Sequence, residues 1–129
     1  MKVNIPVSIG ELVDKITILE IKSKNINESS KLENINKELG TLNNMLNSLN
    51  LDKEKLEPLY EQLYKTNLEL WNIEDKIRLL EKERNFENKF ISTARSVYIT
   101  NDIRFDLKNK INQIFDSEFK EEKSYEEYK

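Results

Sequence analysis

The chain has 129 residues, no cysteine and no histidine, 35% charged and 37% hydrophobic residues, and a formal charge of −3. Disulfides, zinc sites, cysteine nucleophiles and histidine bases are thereby excluded, which leaves Asp, Glu, Lys, Arg, Tyr, Ser and Thr for any chemistry and hard cations for any metal. The sequence pI of about 5.2 argues against a surface built to neutralise nucleic-acid phosphates.

Only two Gly and two Pro accompany this charge density, so long charged helices are expected rather than a turn-rich β fold, giving an all-α single domain over 1–129. Residues 1–7 read as an extended lead, because Pro6 removes an amide donor and pushes Ile5 away from helical angles. Residues 8–25 read as a central helix. Ser8 and Glu11 have capping-box spacing, and Ile9, Leu12, Val13, Ile16 and Leu19 share one face, with Glu20 projecting into it. Ile18 and Ile21 lie opposite, among Glu11, Asp14 and Lys22, so this helix is expected to contact neighbours on two sides.

Residues 28–84 read as an antiparallel helical hairpin. Leu32, Ile35, Leu39, Leu42, Leu46 and Leu49 form one seam and Leu56, Leu59, Leu63, Thr66, Leu70, Ile73, Ile77 and Leu80 the other, joined by a turn at Asn50-Leu51-Asp52. Gly40 then predicts a close helix approach near Leu63 and Tyr64. Residues 86–115 read as C-terminal helices broken at Asn101-Asp102, with Asp102 as a cap. The tail, 116–129, carries Phe119, Tyr125 and Tyr128 spaced for docking. No apolar run reaches the roughly 18 residues of a membrane span and no secretory leader is recognisable, so a cytoplasmic location away from membranes is expected.

Two constellations could carry function. Glu11 and Asp14 share a helix face and, with Glu74 and Asp75, resemble the paired carboxylates by which helical nucleotide pyrophosphohydrolases hold Mg²⁺. Against this stands the capping role of Glu11 and the abundance of acids in the chain. The second joins Trp71, Glu74 and Arg78 with Arg95, Tyr98, Asn101, Asp102 and Arg104, where guanidinium groups beside aromatics could clasp an anionic group. Its alternative is a structural network in which Arg78 or Arg95 neutralises Glu20 and Glu74.

The opening I-P-V-S-I-G-E-L-V-D-K-I-T-I-L-E-I-K, the runs L-W-x-I-E-D-x-I-R and A-R-S-V-Y-x-x-N-D-x-R, and E-E-K-S-Y near the end resemble a family of small bacterial proteins known only as a domain of unknown function. The resemblance implies no activity; it implies gene neighbourhoods linked to glycan or lipopolysaccharide biosynthesis. Three expectations follow. The first is a binding or accessory protein with a polar pocket for an anionic small molecule, lined by Glu20, Trp71, Glu74, Arg78, Arg95, Tyr98, Asn101, Asp102 and Arg104. The second is a small Mg²⁺-dependent enzyme acting on a phosphorylated metabolite through Glu11, Asp14, Glu74 and Asp75. The third is a partner protein that dimerises through the hairpin seam.

Overall fold

Ser8 accepts the Glu11 amide at 3.0 Å, and the helix it caps, α1, runs Ile9–Asn25 in the computed structural model, which describes all of residues 1–129. Helix α2 follows at Ser29–Ser48, α3 at Lys53–Lys82 and α4 at Asn88–Ile114, with no strands, so the protein is a small all-α bundle. Asp52 caps α3 by accepting from the Glu54 amide at 3.0 Å. The helix therefore starts ahead of Pro58, which sits on its exposed side. Met1–Val7 carries no regular secondary structure and is exposed.

Helix α1 packs against all three other helices, and α3 lies along α4. Val13 of α1, Leu56, Leu59 and Leu63 of α3, and Leu107 and Ile111 of α4 form the core cluster. Ile16 and Ile21 of α1 are also buried. Each such side chain contributes roughly 1.5–3 kcal/mol on burial, and α1 offers apolar residues all round because it has neighbours on more than one side.

The hairpin forms between different helices from those expected. Helix α2 lies on α1 and does not pair with α3, whose partner is α4 across the short connection after Lys82. Periodicity marks a face without naming what covers it. The α2 seam buries none of its residues completely, whereas Leu56, Leu59, Leu63, Leu70 and Leu80 of α3 are all buried. Gly40 is exposed, and a Cβ added there would meet nothing within 4 Å, so no close approach occurs at that point. Gly10 holds that role instead. A Cβ at Gly10 would collide with the Lys108 carbonyl oxygen and come within 2.9 Å of Asn112 Oδ1.

Nor does α4 break at Asn101-Asp102. Its inward face runs Thr93, Val97, Thr100, Arg104, Leu107 and Ile111, spaced three and four, with Lys108 beside Leu107, and four of these seven residues are polar. Ile103 and Ile114, apolar but off this face, are exposed. Helix α4 ends at Ile114 with Phe115 as its cap, Asp116 takes a left-handed φ of 49°, and the tail beyond has no regular secondary structure.

Candidate functional site

The start of α1 is bound to the end of α4. Ile9 donates its amide to Ser117 Oγ at 3.1 Å, Gly10 to Asn112 Oδ1 at 2.7 Å, Glu11 to Ser8 Oγ at 3.0 Å and Leu12 to the Ser8 carbonyl at 3.1 Å. Leu12 makes the first helical bond, and the amides of Ile9, Gly10 and Glu11, which a helix start leaves free, are each taken by a side chain of the same protein, so none of the three is open to an anion. The Asn112 side-chain nitrogen is buried without a partner.

One turn further on, Asp14 is fully buried. Its Oδ1 accepts from Arg104 Nε at 2.9 Å and from Asn67 Nδ2 at 2.9 Å, and its Oδ2 from Arg104 Nη2 at 2.5 Å. Asn67 also donates to Thr17 Oγ1 at 2.9 Å, and Thr17 donates to the Asp14 carbonyl. A carboxylate removed from water is tolerable only when paired and hydrogen-bonded, and the two-pronged guanidinium contact meets that need. The Asp14 carboxylate, through its hydrogen bond and its charge, holds the Arg104 pKa above its ordinary value.

Lys108 lies beside this pair, with its ammonium 4.0 Å from Asp14. Its side chain is only 6% exposed, and it contacts Glu11 and Glu121 at 2.8 Å each. Burial alone would lower its pKa, but hydrogen bonds to Glu11 and Glu121 and the charge of Asp14 hold it above the usual lysine value. Three carboxylates against two cations leave the cluster one negative charge in excess.

Glu121 belongs to the tail, which is fastened along α4 by side chains. Lys123 reaches Asp102 at 2.7 Å and places its ammonium 5.1 Å from the Phe105 ring centre and 5.3 Å from that of Tyr125. Tyr128 donates to Asp102 at 2.5 Å and meets the Tyr98 ring edge-on. Those contacts lower the Asp102 pKa, Lys123 first and Tyr128 second, and Asp102 raises the Tyr128 phenol to about 12. Between tail and helix lies an open groove of about 1230 Å³ whose lining includes Asn101, Asp102, Arg104, Lys108 and Tyr98.

The anticipated sites are redistributed by this arrangement. Tyr98, Asn101, Asp102 and Arg104 come together at the groove, where Arg104 Nη1 also donates to Asn101 Oδ1 at 3.4 Å. Trp71, Glu74, Asp75 and Arg78 line a separate shallow depression on α3, in which Arg78 pairs with Glu74. Arg95 is exposed on α4. Glu20 accepts from Tyr60, whose pKa is raised by burial and by that carboxylate, and it meets neither Arg78 nor Arg95. The four carboxylates expected to bind Mg²⁺ do not assemble. Glu11 and Asp14 are held by Lys108 and Arg104, Glu74 and Asp75 belong to the depression on α3, and no group of three or more acidic side chains is placed to hold a metal ion.

Sequence reasoning placed Asp14 on a polar side and missed Lys108, Asn112 and Ser117. A signal for Lys108 was present: it lies four residues after Arg104 on the face that carries Leu107 and Ile111, where an unpaired cation would be costly.

The chain belongs to a family of unknown function, DUF6165, whose model matches residues 1–128. No curated protein and no solved structure matches it. No helix is long and apolar enough to cross a membrane.

Proposed function

We propose that this protein is a binding or accessory protein whose groove between α4 and the tail receives the acidic group of a small molecule. One observation carries the reading: the nearly buried Lys108 ammonium takes a carboxylate, Glu121, from a segment without regular secondary structure. Glu121 occupies the place of a ligand's acid. A carboxylate or phosphate arriving there inherits a charge-assisted contact to Lys108, with Arg104 alongside on the groove wall. The proposal includes a cytoplasmic setting, and the family resemblance supports a bacterial source and a ligand from glycan biosynthesis.

The test is a thermal-shift screen of nucleotides, nucleotide sugars and sugar phosphates against the wild type and Glu121→Gln. A ligand at one hundred times its dissociation constant adds about 2.7 kcal/mol, and removing the competing carboxylate should enlarge the shift. Silence in both proteins defeats the reading.

A second reading, self-association, is favoured by Leu79, Phe86 and Ile91, large apolar side chains exposed at the connected end of the α3–α4 hairpin. Sedimentation velocity across a hundredfold concentration range tests it; a single monomeric species throughout removes it.

A further inference from the structure

The groove presents two charged stations on α4, and the tail fills both with complementary groups. Lys108 receives the Glu121 carboxylate at 2.8 Å. Asp102 receives the Lys123 ammonium at 2.7 Å, with the Phe105 ring 5.1 Å and the Tyr125 ring 5.3 Å from that nitrogen. On α4 the Asp102 carboxylate and the Phe105 face make a cation-binding cage with its guest in place, and Tyr125 of the tail closes over that guest.

We infer that the natural ligand of this groove is zwitterionic, carrying an acid for Lys108 and an ammonium for the Asp102 cage. The inference rests on the acid-binding reading above and specifies its ligand class. Glu121 and Lys123 are two residues apart on one strap, so a ligand that lifts the first displaces the second. A purely anionic molecule would then satisfy Lys108 while stripping Asp102 of its cation, and only a molecule that replaces both groups restores the pairing. The lining of the groove points the same way, because its six carboxylates outnumber its four cations. An anion alone meets net repulsion there, which an ammonium on the same molecule relieves. Asp102 and Lys108 are six helical residues apart, about 9 Å along the axis, a span that favours a ligand with several bonds between its charges.

The test uses the full chain with both tail charges neutralised, Glu121→Gln/Lys123→Gln, which keeps every ring and leaves Asp14, Arg104, Lys108 and Glu11 unchanged. Titration calorimetry compares 6-aminohexanoate, hexanoate and hexylamine, which share a chain and differ in their charged ends. The expected result is that 6-aminohexanoate binds at least tenfold more tightly than either one-ended probe, and that adding Asp102→Asn reduces its affinity to that of hexanoate. Equal binding of hexanoate and 6-aminohexanoate overturns the zwitterion inference and leaves the acid site standing. Binding of hexylamine alone, or of none of the three, overturns both.

Discussion

Asp14 and Arg104, ninety residues apart, form a two-pronged ion pair in which the carboxylate is fully buried and the guanidinium side chain is 29% exposed. Because Asn67 donates to the same carboxylate, this one pair ties α1, α3 and α4 together behind the groove wall that Arg104 helps to line.

Removing either partner leaves a charge in a place that water reaches poorly. Arg104→Met should lower stability by about 3 kcal/mol, near the lower end of the 3–5 kcal/mol typical of broken buried pairs, because Lys108 at 4.0 Å still opposes Asp14. Urea unfolding checks this, and a loss below about 1 kcal/mol would show that the pair is not a structural keystone.

The two glycines should respond in opposite directions to alanine. Gly40→Ala, on an exposed helical surface with nothing near the new methyl group, should stabilise by up to about 1 kcal/mol through helix propensity. Gly10→Ala gains the same propensity but sets its methyl against the Lys108 carbonyl and Asn112 Oδ1, forcing α1 away from α4. A net destabilisation is expected for Gly10→Ala. Thermal melts of the two variants decide the matter, and a gain in both would refute the close helix approach.

Leu63 is fully buried in the core cluster shared by α1, α3 and α4. Leu63→Ala should cost about 2–5 kcal/mol, whereas Leu39→Ala on the half-buried α2 seam should cost clearly less. Chemical denaturation of the pair measures the difference; similar losses would mean that α2 is packed as firmly as α3.

The tail should detach at both extremes of pH. Asp102 has a lowered pKa in the docked state, so its contribution is complete above the free carboxylate value and is lost as pH falls through the lower, docked value. Tyr128 is raised, so its contribution is complete below the free phenol value, about 10, and is lost as pH climbs through about 12. Ultraviolet titration of the tyrosines should show a late phase near pH 12 that moves toward 10 in Asp102→Asn. Tyr60 should keep its own elevated titration in that variant, since its partner is Glu20. A late Tyr128 phase unchanged by Asp102→Asn would exclude the docked geometry.

Much of the local structure could be read from residue order. The Ser8 cap, the helical character of each segment and the polar identity of Tyr98, Asn101, Asp102 and Arg104 follow from side-chain chemistry that acts within a few residues. Pairing does not act within a few residues. Leu32 to Leu49 and Leu56 to Leu80 announce apolar faces equally well, yet one seam settles half-buried on α1 and the other meets α4. The α4 face reads as broken in sequence because Thr100, Arg104 and Lys108 occupy positions where apolar residues were expected, and they are tolerated there only because Asp14, Glu11 and Glu121 arrive from elsewhere.

Composition and spacing alone determined an all-α chain without thiol or imidazole chemistry, a capped opening helix and a charged tail. Tertiary structure alone decided that Asp14 is buried, that Trp71, Glu74 and Arg78 stand apart from Arg104, and that Glu121 and Lys123 fill the groove. The reason is the range of the forces involved. Helix propensity and capping depend on neighbours along the chain, whereas the cost of a buried charge depends on which distant group lies opposite, and only the folded backbone makes that choice.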